Sequence, residues 1–298
     1  MITAPASQVE AEVAGRRSVK FQRLFAHLLV TPTAAWTVLF FVAPLVLITI
    51  FSFGSENLVT FNIDFGWTAS NFGAFGTSLY LGTLLRSVAL SLGTTLGCAL
   101  LGFPLAFFIT RQRPWVQRLL LACVIVPFWT SFLVRTYSWV NLLQNQGPVD
   151  RIAYALTGHH LEVLYSATSI AIGIVYSYLP LMVLPIYVAL ERINPELYDA
   201  AADLGARPWR QFSRVVLPLA RPGLIAGIII VGVPAMGEYV IPEILGGGKT
   251  LMIGNIIVNE YLDVGNYPFG SALAVSLMAI LMILLFALRR VQPELEAR

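Results

Sequence analysis

The chain has 298 residues, of which 57% are hydrophobic and only 12% charged, where a soluble domain carries about 25% charged residues. With a mean hydropathy of +0.75, this is the composition of a membrane protein, and a net charge of +3 is too small to point to nucleic acid as a partner. The two cysteines, Cys98 and Cys123, both fall in apolar segments and read as small buried hydrophobes, which argues against a disulfide or metal framework.

A helix needs about 20 apolar residues to cross a bilayer, and its backbone groups must be satisfied within the segment. Six segments qualify, so the expected fold is all-α and polytopic. A polar tail at 1–32 precedes the first span, Thr33–Phe53, and an external loop runs on to residue 82. That first span is no cleaved signal peptide, because its tail and core are too long and no small-residue cleavage site stands out. A second unit, residues 83–289, holds the other spans: Ser87–Thr110, Leu119–Val140, Ala167–Leu190, Gly223–Ile241 and Phe269–Leu288. Residues 290–298 form a second tail. Gly93 with Gly97, and Gly223 with Gly227, have the four-residue spacing that lets helices approach closely. No internal repeat of the kind that builds many secondary transporters is evident.

Fifteen of the 19 Lys and Arg residues fall on one side of these spans. They are Arg16, Arg17, Lys20 and Arg23 in the tail; Arg111, Arg113 and Arg118; Arg192, Arg207, Arg210, Arg214 and Arg221; and Arg289, Arg290 and Arg298. The excess of basic residues on cytoplasmic loops then places both termini inside, leaving Arg86, Arg135, Arg151 and Lys249 on the other face. Trp67, Trp139 and Tyr261 fall near the outer boundary and Trp115 near the inner one, where aromatic belts form.

The cytoplasmic loop at 191–222 has its own punctuation. Asn194 suits an N-cap and Pro195 the first helical position. Leu197, Ala200, Ala201 and Leu204 recur at helical spacing. Gly205 fits a left-handed residue just past the helix end, and Pro208 blocks continuation. A short helix is therefore expected beside the membrane, followed by a turn, a second stretch around Trp209–Val216, and Leu217-Pro218 leading into the fifth span. A small-residue face next to a sharp reversal has the build of a socket for a soluble partner; the plain alternative is an amphipathic interfacial helix.

Glu238 lies 15 residues beyond Gly223, about 22 Å along a helix at about 1.5 Å per residue, near the outer edge of the hydrocarbon core. An ionisable group at that depth is a functional hypothesis, with Arg135 a candidate partner. Tyr239, and Tyr176, Ser177 and Tyr178, which with Pro180 and Pro185 give the fourth span polar groups and bends, are candidates to line a solute path; aromatic residues are also ordinary core. Gly248-Lys249-Thr250 looks like the end of a phosphate-binding loop, but the glycine required five positions earlier is Glu243. His159 and His160 lack metal-spaced partners and read as solvated. With 3 histidines and no nucleophile–base set in context, no catalytic residue and no metal ligand is assigned.

The loop also resembles the cytoplasmic EAA loop of permease subunits of binding-protein-dependent ABC importers. Asp199-Ala200-Ala201 stands at its Glu-Ala-Ala, Gly205 at its glycine, Val215 at its isoleucine, and Leu217-Pro218 at its end, with Asp for Glu and Val for Ile as departures. The stretches Pro127–Tyr137, Gly237–Glu243, Met252–Asn255 and Pro268–Ala272 are similar to the spermidine/putrescine branch. The resemblance implies a type I ABC permease fold in a bacterial inner membrane, with 83–289 as its transmembrane domain. It also implies that Asp199, Ala200, Ala201, Gly205, Leu217 and Pro218 couple to an ATPase. The implied partners are two copies of that ATPase subunit, which would bind the ATP; a second, homologous permease; an external solute-binding protein; and the lipid bilayer. This subunit itself would be no enzyme and hold no cofactor. The implied solute is a polyamine; an opine, iron or an amino-acid-like solute is the alternative. An ion-gradient-driven secondary transporter is the rival mechanism, and it would need acids in the spans, which are nearly free of them. A membrane-embedded enzyme or scaffold is a further rival class.

Overall fold

The structure, a computed structural model, describes residues 31–57, 62–75 and 77–291. Residues 1–30 of the expected tail at 1–32, the last residues of the chain, and with them Arg16, Arg17, Lys20, Arg23 and Arg298, lie outside the described residues, as do the side chains of Arg289 and Arg290.

Helix α1 spans Thr31–Phe51. A small ribbon follows, β1 at Ser55–Asn57 paired antiparallel with β2 at Asn62–Asp64, with Glu56 opposite Ile63. It is the one departure from an all-helical chain among the described residues. Helix α2 covers Ser70–Phe75, and Asn71 pins it to the turn between α1 and the ribbon by donating to the carbonyls of Ser52 (3.1 Å) and Gly54 (2.8 Å). Helix α3 spans Ser78–Thr110, 33 residues; at about 1.5 Å per residue it outruns a hydrocarbon core of about 30 Å.

The third expected span, Leu119–Val140, is not one rod. Helix α4, Pro114–Trp129, meets the next helical run, Phe132–Thr157, at 94°. That run divides into α5, Phe132–Leu143, and α6, Pro148–Thr157. Pro127 cannot donate a helical hydrogen bond, the last turn of α4 tightens to a 3-10 helix, and Thr130 and Ser131 are extended. The Pro127 carbonyl accepts both the Thr130 N–H at 3.3 Å and the Thr130 hydroxyl at 2.7 Å.

Helix α7, Ala167–Glu191, is capped reciprocally by Ser166 and Ser169. Helix α8 covers Glu196–Asp203. Helix α9 runs unbroken over Pro208–Met236, so the expected second stretch and the fifth span are one element. Pro218 has no N–H to give; the chain answers with a π-helical turn at Phe212–Val216, in which the Leu217 N–H reaches back to the Phe212 carbonyl. Gly232 and Pro234 lie within α9 without breaking it, and the helix ends at Met236, so that the chain turns at Gly237–Tyr239. Helices α10, Val240–Gly246, and α11, Ile253–Asn259, are short, and α12 is Tyr267–Val291. Among the described residues, 5 helices are long and apolar enough to span, or 6 if the bent pair counts as one.

The core is the packing of α3, α7 and α9. Cys98, Phe103, Ile109, Met182, Val183, Ile186, Val216, Ala220 and Val231 are buried there. Gly223 and Gly227 make the contact: a Cβ on Gly223 would sit 2.5 Å from the Ala189 Cβ, and one on Gly227 would sit 2.6 Å from the Met182 sulfur. Gly97 similarly lies under Val175, whereas Gly93 has nothing within 4 Å. Cys98 is buried as expected, but Cys123 is exposed on the outside of α4.

Candidate functional site

Two irregular regions stand at opposite ends of the core. The first is α8 and its turn. The Asn194 carboxamide oxygen accepts from the Glu196 N–H at 3.1 Å, satisfying a free donor of the first turn, and its nitrogen donates to the Glu196 carboxylate at 3.0 Å. At the other end the Gly205 N–H donates to the Ala202 carbonyl (2.8 Å) and the Ala206 N–H to that of Ala201 (3.0 Å). Those two bonds make a Schellman turn. It needs a left-handed residue, and Gly205 supplies φ +74°.

The expected apolar stripe on α8 divides. Ala201 is buried and Tyr198 half-buried against the core, while Leu197 (44%), Ala200 and Leu204 (88%) are exposed. Asp199 is exposed too, at the rim of a cavity of about 360 Å³ that Arg111, Gln117, Glu191 and Tyr198 also line. Leu217 and Pro218 sit inside α9 just past its π turn rather than at the end of an element.

The second region surrounds the break after α9. Glu238 is buried. One carboxylate oxygen accepts the Tyr178 hydroxyl at 2.7 Å, and the other accepts the N–H groups of Val240 (3.1 Å) and Ile241 (3.4 Å). The side chain thus satisfies the open start of α10 and ties it to α7, offsetting the cost of taking the carboxylate out of water. Arg135 is not its partner. Its guanidinium lies 5.0 Å from the Phe128 ring centre and 5.8 Å from that of Phe132, and two of its nitrogens are buried without a hydrogen bond. The break is packed closely: a Cβ on Gly254 would sit 2.6 Å from the Gly237 carbonyl oxygen.

Beside it, a cavity of about 380 Å³ is lined by Tyr239, Glu243, Asn255, Asn259 and Asp263 among others. Asn255 organises it. Its side-chain nitrogen donates to the Glu243 carboxylate (2.8 Å) and the Tyr239 carbonyl (3.0 Å), and its oxygen accepts from the Met252 N–H (3.2 Å). Of the five expected pathway residues, the fold brings Glu238 and Tyr178 together and puts Tyr239 at this cavity. Ser177 is buried within α7, and Tyr176 packs edge-on against Trp139 at 5.4 Å. Sequence reasoning missed the roles of Glu243, Asn255, Asn259 and Asp263; two acids and two amides on short helices beside Glu238 were the available signal.

Both histidines are exposed, as expected of solvated residues, but His160 also has protein partners. His160 bonds through Nδ1 to Asp150 at 2.8 Å and stacks on Tyr154. Asp150, itself buried, also accepts the N–H groups of Gln146 (2.8 Å) and Leu161 (2.7 Å). These backbone donors, and then His160, hold the Asp150 carboxyl below the usual carboxylate range.

Residues 98–294 match the family described as binding-protein-dependent transport system inner membrane component. The chain is 34% identical over 281 residues to the spermidine/putrescine transport system permease protein PotB of Haemophilus influenzae, covering 94% of this chain and 96% of that protein. Identity is also 34%, over 91% and 98% of the two chains, to PotB of Escherichia coli. Among solved structures, a bacterial alginate ABC transporter in complex with alginate pentasaccharide-bound periplasmic protein matches with a TM-score of 0.70 at 16% identity, over 91% of this chain and 94% of that one. The MetNI methionine ABC transporter in an inward-facing conformation matches with a TM-score of 0.53 at 21% identity, over 74% and 99% of the two chains. At these identities the two structures bear on the fold alone.

Proposed function

We propose, from the premise that this chain belongs to the family of binding-protein-dependent transport system inner membrane components, that it is the pathway-forming permease of an ATP-driven polyamine importer. Its spans are multi-pass inner-membrane elements, and the α8 end faces the cytoplasm with both termini, a reading that the distribution of basic residues supports. The outward face of α8, with Asp199, Ala200 and the exposed Leu204, docks an ATPase subunit, two copies of which hydrolyse the ATP. Gly205 fixes the reversal that presents this face. Buried Ala201 keeps α8 close to the core, and Leu217 and Pro218 carry its displacement into α9. A second permease completes the path, and an external binding protein delivers the solute to the opposite end.

The observation that carries the polyamine reading is the 34% identity, over 94% of the chain, to a permease named for spermidine and putrescine. The cavity bounded by Glu243, Asp263 and Tyr239 supports it, since carboxylates and an aromatic face suit a flexible polycation. Glu238 and Tyr178 then form the contact that opens or closes beneath that mouth, with Ser177 and Tyr176 on the same helix behind it. The test is uptake of radiolabelled spermidine by proteoliposomes holding the whole assembly. Uptake is expected to need internal ATP and loaded binding protein, and to survive a protonophore. Uptake that stops with the proton gradient would overturn the ATP-driven mechanism; saturable, ATP-driven uptake of a different solute with no response to spermidine would overturn the polyamine assignment. A disulfide crosslink from Leu204→Cys to the ATPase checks the docking face.

A further inference from the structure

At the α8 end, side chains from three elements stack in series. The Arg111 guanidinium carbon lies 4.4 Å from the Tyr198 ring centre and 4.8 Å from that of Phe107. Phe107 in turn meets Phe212 edge-on at 6.0 Å, and Phe103 meets the same ring at 5.5 Å. Tyr198 belongs to α8, Phe107 to the last turn of α3, and Phe212 opens the π turn of α9. Arg111 caps α3, where a cation also suits the negative end of the helix dipole.

The position of this series matters because α8 has little else to hold. Of its 8 residues, Ala201 is buried and Tyr198 half-buried; the rest are exposed. A force applied to the outward face therefore leaves α8 through Tyr198 and Ala201 or through its two connecting turns. Alanine has no reach. Tyr198 has one: besides packing against the core cluster, it meets a flat cation lying between two rings. Lysine does not replicate that contact, because a guanidinium presents planar faces to both rings while an ammonium is a compact, strongly hydrated point charge.

The geometry points to Arg111 as the positioning residue for coupling: clamped between Tyr198 and Phe107, it makes α8 and α3 move as one body, and Phe212 passes the same displacement to α9. This rests on α8 being the ATPase contact. It adds a specific route for the stroke, and it assigns to Arg111 a task beyond that of a positive charge at the membrane surface.

The test uses the complete transporter in proteoliposomes, with Arg111→Lys, Arg111→Met and Tyr198→Leu. ATPase co-purification, basal ATP hydrolysis, its stimulation by loaded binding protein, and solute taken up per ATP are measured together. All three variants are expected to retain the ATPase and basal hydrolysis. Stimulation and uptake per ATP are expected to fall about fivefold, the loss equivalent to one cation–π contact, with Arg111→Lys no better than Arg111→Met. Full rescue by lysine would overturn the inference in favour of a charge at the lipid surface, and unchanged uptake per ATP in the methionine or leucine variant would overturn it outright. Should Arg111→Met fail to insert, Tyr198→Leu and Arg111→Lys decide. Failure of the Leu204→Cys crosslink in the otherwise unaltered chain would instead overturn the docking of α8, and this inference with it.

Discussion

The two ends of the core solve the problem of irregular backbone in different ways. At the α8 end every turn is satisfied locally: Asn194 caps a residue two positions on, and the Gly205 turn closes on Ala201 and Ala202. The element is left with most of its surface outward. At the opposite end, local caps at Glu238 and Asn255 are joined by partners from far along the chain. Tyr178 reaches Glu238, the Ser87 hydroxyl accepts from the Ile253 N–H at 2.8 Å, and the Ser169 hydroxyl donates to the Leu245 carbonyl at 2.9 Å. Where water is present, a segment can stay self-contained and movable. At membrane depth, unsatisfied backbone is costly, so the break after α9 is bound into its neighbours.

If that contrast is right, the largest effect comes from removing the Glu238 side chain. Glu238→Ala strands a hydroxyl and two N–H groups, at about 1–3 kcal/mol per unsatisfied group. A markedly lower melting temperature in detergent is expected together with lost uptake; a variant as stable as the parent would break the comparison. Next comes Gly223→Leu, which forces α9 off α7 and should cost about 1–3 kcal/mol or more through overpacking. Gly93→Ala, with open space around it, should fall within about 0.5 kcal/mol of the parent, and an equal loss in both would mean that the packing contact lies elsewhere.

A smaller effect is expected at the α8 end. Gly205→Ala meets no neighbour but must hold φ +74°, at about 1–2 kcal/mol. That loss should be confined to α8, visible as faster hydrogen exchange at 196–206 with an unaltered core, and spread of the change into α7 would show that α8 is less self-contained than described. The smallest effect is the response of the 146–161 loop to acid. The native Asp150 carboxyl is held below the ordinary value of about 3.9, so its stabilisation is fully present above that pH and is lost as pH falls through the lower native value. Hydrogen exchange in the loop should therefore stay slow at pH 5; opening between pH 6 and 5 would contradict the assignment of Asp150 as its anchor.

Much of this was legible in the sequence, for identifiable reasons. Long apolar runs can do little in a bilayer except form helices, so the spans could be read from composition. The α8 elbow was legible because Asn194, Pro195, Gly205 and Pro208 each act on their immediate neighbours. The bend at Thr130-Ser131 was hidden inside an apolar run whose composition does not change across it. The direction in which Leu197 and Leu204 face depends on where Tyr198 meets Arg111 and the core, which helical spacing does not encode. Glu238 was flagged by its depth, but its partner stands 60 positions away, and Arg135, which matched by charge, turned to two phenylalanines instead. The sequence resemblance singled out the loop at 191–222; side-chain placement separated its inward residues from its outward ones.

Helix α1 has a consequence of its own. Its apolar window is 0% buried within the chain, and its contacts are made by its second half against α12. The remaining apolar surface of this helix has to be covered by acyl chains or a neighbouring subunit, so its seat is an address written by the surroundings. Exchanging bilayer for detergent should unsettle α1 before it disturbs the glycine-mated trio of α3, α7 and α9.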